Sequence, residues 1–199
     1  APVYTTESSA ASYEIASNLR ADLLEGDIVM SRDGQLLICH DLDLSRVTDV
    51  AAKFPGRGAI RNFNGVDYFG FWVDDFTWAE LSTLAKPNGQ GLLTLDALIA
   101  LAQSRGVSLY MEIKESEYFA APQPTRANPL DITGALISVL NATGEAGRAA
   151  PFWVQSDNAD DLLRIKQATG NRTVFLTRNV GPDDVGLFPQ FRQFADVLG

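Results

Sequence analysis

Short apolar runs with the alternation of strands take turns along this chain with stretches of helical periodicity, and a helix comes first. Ser8 to Leu19 lines up Ala11, Tyr13, Ile15, Ala16 and Leu19 as an apolar stripe behind a polar cap region. Leu23 to Met30 and Leu36 to Cys39 then read as two strands around Asp33-Gly34, the pair that a two-residue hairpin turn prefers. Such a turn sets Arg32 opposite Gln35, Met30 opposite Leu37, Ile28 opposite Cys39 and Asp27 opposite His40. Glu25 lies two residues before Asp27 and shares its face of the strand.

The rhythm then breaks and resumes. From Asp43 to Asp74, with Pro55-Gly56-Arg57-Gly58 inside it, the periodicity is weak, and an irregular excursion over one end of the domain is expected, with the insertion running from about 43 to 93. Its aromatic residues Tyr68, Phe69, Phe71, Trp72 and Phe76 are expected to form a satellite core, a pocket wall being the other reading. Thr77-Trp78-Ala79-Glu80 is a capping box, and Thr94 caps a helix over Leu95 to Arg105 that Gly106 ends. The strand Val107 to Ile113 follows, with Tyr110, Glu112 and Lys114 on one face. After a stiff Pro-rich loop, Tyr118 to Pro129, the pattern predicts a helix at Ile132 to Leu140 and a strand at Phe152 to Gln155. A helix at Ala159 to Ala168, a strand at Thr173 to Thr177 and the opening of another near Ala195 to Gly199 complete it. Strands separated by crossover helices imply a parallel sheet.

The candidate chemistry gathers where the hairpin and the later strand end. Glu25, Asp27 and the single histidine, His40, converge there, and Glu112 lies at the carboxyl end of its strand, the edge where barrel enzymes keep catalytic groups. Carboxylates beside an imidazole suit a hard divalent cation with a proton-transfer group next to it. Spacing alone leaves a second reading open: solvated acids at strand tips, a structural histidine, and a Glu112 to Lys114 ion pair.

Glu25-Gly26-Asp27, Ser31-Arg32-Asp33-Gly34 and His40-Asp41 with Leu44, Arg46, Thr48 and Asp49 resemble the signature region of the glycerophosphodiester phosphodiesterase family. Asp75-Phe76-Thr77-Trp78-Ala79-Glu80-Leu81 and Met111-Glu112-Ile113-Lys114 resemble two later segments of that family in the same order, and the likeness continues through Phe152 to Ser156. The resemblance implies a (β/α)8 TIM barrel and an enzyme of lipid and glycerol metabolism. Its reaction would be the metal-dependent cleavage of glycerophosphodiesters to glycerol 3-phosphate and an alcohol. It further implies Glu25, Asp27 and Glu112 as ligands of Ca2+ or Mg2+, His40 as one member of an acid/base pair, and Lys114 as a substrate-binding cation. One departure stands out: the family's opening His-Arg-Gly strand end has no counterpart, and Ala1 to Glu7 resembles the segment just after it. The expectation is therefore one domain over 1–199, cut at both ends and inactive if the upstream histidine is absent.

Length and composition fit that picture and narrow it. At 199 residues and 46% hydrophobic content the chain can bury one core, yet it is short for a complete barrel of about 250 residues. A net charge of -9 argues against nucleic acid or an anionic membrane surface as partner, so an anionic small-molecule substrate must be attracted locally. Cys39 is the only cysteine, which excludes an intramolecular disulfide or a cysteine zinc cluster, and it is expected to be a buried apolar residue. No apolar run is long enough to span a membrane. Asn141-Ala142-Thr143 and Asn171-Arg172-Thr173 match the glycosylation sequon. A secreted or periplasmic location is expected, and the oligomeric state is left open. Three other readings remain: a barrel phosphodiesterase acting on lysophospholipid or sphingolipid head groups, a non-catalytic metal- or ligand-binding relative, and a carboxylate-pair glycosidase without metal dependence.

Overall fold

The computed structural model describes residues 5–63, 65–177 and 188–199. Its elements follow the chain as α1 (Ala10–Asn18), β1 (Leu23–Met30), β2 (Leu36–Ile38), α2 (Val50–Lys53), β3 (Ala59–Phe63), β4 (Val66–Gly70), α3 (Trp78–Leu81), β5 (Leu93–Thr94) and α4 (Leu95–Arg105). They continue as β6 (Ser108–Ile113), α5 (Ser116–Ala120), α6 (Ile132–Thr143), β7 (Phe152–Ser156), α7 (Ala159–Thr169), β8 (Arg172–Phe175), α8 (Phe188–Phe191) and β9 (Val197–Leu198). The main sheet has the order β5-β2-β1-β6-β7-β8-β9; β1, β6, β7, β8 and β9 run parallel, while β2 and β5 are antiparallel additions at one edge. Parallel strands with crossover helices make this an incomplete α/β barrel of the TIM type.

Local chemistry sets the ends of these elements. Ser9 and Thr77 each form a reciprocal capping box, with Ser12 and Glu80, and Thr94 accepts from the Ala97 amide to start α4. Gly106, Gly144 and Gly170 take the left-handed conformation that closes α4, α6 and α7. The sheet has two unlike faces because strand side chains alternate. Leu24, Ile28, Leu109, Met111, Ile113, Phe152 and Val154 are buried in one core with Leu98, Leu136, Leu140, Leu162 and Ile165 of the helices. Glu25, Asp27, Tyr110, Glu112, Trp153 and Gln155 fall on the other face, in the parallel register Asp27, Glu112, Gln155. Gly26 is small for a reason: a Cβ there would lie 2.5 Å from the Tyr13 hydroxyl of α1 and 3.0 Å from Met111 Cε.

Three expectations need correction. The hairpin is not a two-residue turn. The Ser31 amide donates to the Gln35 carbonyl (2.9 Å) and the Gly34 amide to Ser31 (3.1 Å), so Arg32, Asp33 and Gly34 form a three-residue loop in which only Gly34 has positive φ (91°). The cause lies in the side chains: Ser31 Oγ donates to Asp33 Oδ1 (2.6 Å) and accepts from the Gln35 amide (2.9 Å), while Asp33 Oδ1 also accepts from the Trp78 amide (2.8 Å). Met30 therefore pairs with Leu36, and the Cys39 amide bonds the Asp27 carbonyl, so His40 does not face Asp27. The excursion is also less irregular than expected, since β3 and β4 form an antiparallel hairpin with Ile60 opposite Phe69. Finally, the Pro-rich loop begins later, because Tyr118 belongs to α5.

That hairpin is fastened by buried charge. Arg61 is almost wholly buried; it donates to Asp74 Oδ1 (2.7 Å), to Asp75 Oδ1 and to Thr125 Oγ1 (2.6 Å). Arg126 Nε reaches Asp74 Oδ2 at 2.8 Å, and the Tyr118 hydroxyl reaches Asp74 Oδ1 at 2.9 Å. The Arg61 guanidinium also lies 5.4 Å from the Trp72 ring centroid and 5.5 Å from that of Tyr118. One network thus joins β3, the turn Val73–Asp75 and the segment after α5. The aromatic cluster divides, and no separate satellite core forms among the described residues: Phe71, Trp72 and Phe76 are buried in the main core, whereas Tyr68 and Phe69 are exposed.

Of the two sequons, Asn171 is fully buried and donates to the Glu145 (2.8 Å) and Phe152 (2.9 Å) carbonyls, so it is no glycosylation acceptor in this fold; Asn141 is exposed on α6.

Replacing Asp74 by Ala leaves two buried guanidinium groups facing a lost partner. The expected loss of stability is about 3–5 kcal/mol, read as a lowered urea midpoint with an unchanged slope. A midpoint within experimental error of the parent's would show that the network holds nothing together.

Candidate active site

The carboxyl ends of β1 and β6 bring the acids together. Asp27 and Glu112 are direct neighbours in the parallel ladder, and Glu25 sits one pleat earlier on the same face. One carboxylate oxygen from each of Glu25, Asp27 and Glu112 lies within 4.8 Å of the others. Oxygens bound to one hard cation at about 2.3–2.6 Å can be at most about 5 Å apart, so the donor set and its spread fit a divalent metal ion.

The electrostatics show what this clustering costs. Burial, then the charges of Asp27 and Glu112, raise the Glu25 carboxyl above its ordinary value, while Lys114 and His40 pull it down. Burial also raises Glu112; its hydrogen bond from Lys114 opposes that shift, and the charge of Asp27 adds to it. Lys114 supplies the direct counter-charge, its Nζ 2.8 Å from Glu112 Oε1 and 3.2 Å from Asp27 Oδ1. Burial alone would lower the Lys114 ammonium, but its carboxylate partners outweigh that and raise it. Gln155 of β7, 4% exposed, directs Nε2 to Glu25 Oε1 at 3.4 Å.

His40 is not part of this cluster; it lies on a cavity that Lys114 also lines. The ring is half exposed just beyond β2, with Nδ1 2.7 Å from Asp41 Oδ1. Asp41 Oδ2 accepts from Arg46 Nε at 2.6 Å, and Arg46 Nη1 reaches Glu7 Oε1 at 2.6 Å, so the imidazole is held by a chain of three further charged groups. Burial works to raise Asp41, but Arg46 and His40 hold it below the usual carboxylate range. His40 and Lys114 line a common cavity of 580 Å3 together with Asp43, Phe63, Tyr68 and Trp72. Cys39 is buried, with its thiol pushed up to about 11 by desolvation, and is chemically quiet.

The structure thus brings Glu25, Asp27 and Glu112 together as expected, forms the Glu112 to Lys114 ion pair that the alternative reading named, and places His40 on a cavity shared with Lys114 by a route other than the expected cross-strand pairing. Gln155, Asp41 and Arg46 were not singled out as site residues from sequence. The available signals were the alternation of Phe152 to Ser156, which puts Gln155 on the acid face, and the position of Asp41 directly after His40.

A parallel α/β sheet with crossover helices and an acidic cluster at its strand ends defines a barrel protein with a candidate metal centre. Within that class, the chain belongs to the glycerophosphoryl diester phosphodiesterase family, whose sequence model matches residues 1–189. A glycerophosphodiester phosphodiesterase of Arabidopsis thaliana is 31% identical over 196 residues, covering 87% of this chain and 52% of the relative, and one of Bacillus subtilis is 33% identical over 183 residues, covering 84% and 53%. The chain spans about half the length of the curated relatives it matches. Among solved structures, an Oleispira antarctica phosphodiesterase in complex with the product sn-glycerol-3-phosphate superposes with a TM-score of 0.71 at 20% identity, covering 96% of this chain and 68% of that one. At that identity the likeness is one of fold.

The raised Glu25 carboxyl binds its proton more tightly in the folded chain than in the unfolded one. Its stability contribution is therefore complete below the ordinary glutamate range and is lost as pH rises through the raised value. In EDTA, Glu25→Gln should be more stable than the parent at pH 7, with the difference vanishing as the pH falls below 4. Thermal midpoints of both proteins across that range check the sign, and a Gln variant that is less stable at pH 7 would contradict it.

Proposed function

We propose that the reaction this domain serves is metal-assisted hydrolysis of glycerophosphodiesters to sn-glycerol 3-phosphate and an alcohol, with the family's upstream His-Arg-Gly strand completing the acid/base pair. The observation that carries the reading is the Glu25, Asp27 and Glu112 cluster, braced by Lys114 and sharing a cavity wall with His40. The named product in the Oleispira antarctica complex supports the substrate class. All three candidate ligands offer hard carboxylate oxygen, which favours Ca2+ or Mg2+ over a thiophilic metal. When bound, such an ion would neutralise phosphate charge and orient the diester.

The remaining work falls to the chain's own side chains. Lys114 is a point charge for a phosphoryl oxygen, already held at the edge of the acid cluster by Glu112 and Asp27. With Nδ1 engaged by Asp41, Nε2 of His40 is the atom left to exchange a proton with the attacking hydroxyl or the leaving alcohol. Asp41 and Arg46 fix the plane of that ring. Gln155 steadies Glu25 from the neighbouring strand. A single domain over 1–199 accords with a hydrophobic core that is continuous from α1 to α7.

Calorimetry on this chain should detect one divalent ion per molecule, and Asp27→Asn should weaken it about tenfold or more, because a charged ligand is lost with its shape kept. In a form that also carries the family's His-Arg-Gly strand upstream, release of sn-glycerol 3-phosphate should stop with EDTA. There His40→Ala should lower kcat by about 10²–10⁴-fold. Hydrolysis that survives EDTA would refute the metal-assisted reading.

A further inference from the structure

Arg46 is a fork whose prongs rest on different acids. Its Nε donates to Asp41 Oδ2 (2.6 Å) and its Nη1 to Glu7 Oε1 (2.6 Å), which leaves Asp41 Oδ1 to Nδ1 of His40 at 2.7 Å. A guanidinium beside a single carboxylate commonly takes both oxygens at once. Arg46 is more than half exposed, so its partners rather than its packing decide how it points. The grip of Glu7 on Nη1 sets the tilt at which Nε alone meets Asp41.

Glu7 is in turn held by a buried lysine that the hydrolytic reading does not use. Lys86 is 3% exposed, and among the described residues its one hydrogen bond runs from Nζ to the Glu7 carbonyl at 3.0 Å. Burial lowers its ammonium from the ordinary lysine value. A charge sequestered so deeply is expensive, and here it is spent on one backbone carbonyl. The same loop grips this segment twice more, since Asn88 Nδ2 donates to Thr5 Oγ1 (3.3 Å) and Gln90 Oε1 accepts from the Ala11 amide (3.4 Å). Ser9 Oγ donates to the Thr6 carbonyl at 2.7 Å, and Ser8 takes a φ of 49°, a region few side chains enter. The backbone around Glu7 is thus fixed on both sides, with its carboxylate directed to Arg46.

We propose that Glu7 and Lys86 are positioning residues for His40. Lys86 clamps the Glu7 backbone, Glu7 holds Arg46 to one contact with Asp41, and Asp41 keeps its other oxygen for the imidazole. The proton of the neutral ring then stays on Nδ1, and Nε2 is left open toward substrate. The inference rests on the hydrolytic reading above for what His40 does, but not for how the ring is held. With Glu7 gone, Arg46 is free to take both oxygens of Asp41 and displace the imidazole.

His40 is the only histidine, so nitrogen-15 NMR of this chain in EDTA reads its ring alone. The parent should hold the neutral ring chiefly as the Nδ1–H tautomer, and Glu7→Gln should shift it toward Nε2–H. The lost charge of Glu7 acts on how tightly the ring binds a proton, whereas the tautomer reports the hydrogen bond to Asp41. Lys86→Met fills the same space without the clamp. Loss of a cation alone would raise the titration midpoint of His40, while loss of the Asp41 contact lowers it, so a fall is expected. The other charged groups around the ring, Lys114 and Asp43 on the same cavity and Glu25 of the acid cluster, are unchanged in both variants. Glu7 is partly exposed, so its variant decides the matter even where Lys86→Met does not fold. A parent ring that is mainly Nε2–H, a tautomer unaltered by Glu7→Gln, or a raised midpoint in folded Lys86→Met would overturn the positioning role. Turnover then separates the two ideas. In the form that carries the upstream strand, Glu7→Gln should lower kcat about tenfold with KM unchanged, and an unchanged kcat there also overturns the role. A tautomer shift in a protein that hydrolyses no glycerophosphodiester supports the positioning of His40 and sinks the hydrolytic reading. EDTA-sensitive turnover with an unaltered tautomer does the reverse.

Discussion

Three like charges held within 4.8 Å of one another are the constraint on which this structure turns. Mutual repulsion and burial both disfavour such an arrangement, as the raised carboxyls of Glu25 and Glu112 register. It persists because the backbone leaves no alternative. Asp27 and Glu112 are locked side by side by parallel ladder hydrogen bonds, and the opposite face of the same strands is sealed by Leu24, Ile28, Leu109, Met111 and Ile113. Sliding either strand by one residue would bury the acids and expose that core. The apolar face therefore enforces the geometry of the polar one.

A second, independent device shapes the far wall of the cavity. Arg61, Asp74, Asp75 and Arg126 balance two positive charges against two negative ones in the interior, where an isolated charge would be prohibitively expensive. Such a network contributes little net energy while intact, and removing one partner costs far more because the other charge stays buried. With Arg61 pinned, Trp72 and Tyr118 have a fixed surface to pack on, and the hairpin that carries Tyr68 is held over the site.

Local rules made much of this legible. The strand Leu23 to Met30, the helix Leu95 to Arg105 with its Thr94 cap and Gly106 stop, and the shared faces of Glu25 with Asp27 and of Glu112 with Lys114 follow from alternation and capping, whereas the grouping of the two pairs is what the family resemblance implies. The hairpin register did not, because Asp33 also serves as an acceptor for the start of α3. Asp-Gly is a local turn signal, whereas the loop length also follows the Ser31 side chain and the distant Trp78 amide. The β3–β4 hairpin had a signal that went unused: Asn64-Gly65 is a strong hairpin pair, although position 64 lies outside the described residues. The buried ion network had none, since Arg61, Asp74 and Arg126 are far apart in sequence and each alone reads as a surface charge.

The net charge of -9 and the local charge of the site answer different questions. At the strand ends, three carboxylates against the single ammonium of Lys114 leave an excess of two negative charges. That excess repels an anionic diester, and one divalent cation cancels it. Once it is cancelled, the groups that face an incoming phosphate are Lys114 and His40, whose partners Asp27, Glu112 and Asp41 restrict them to narrow orientations. Acids that repel an anionic ligand would thus become, with a metal ion bound, a scaffold that orients two cationic or protonatable groups. Global acidity then acts only at long range, where salt screens it over about 8 Å, and leaves recognition to the few groups inside the cavity.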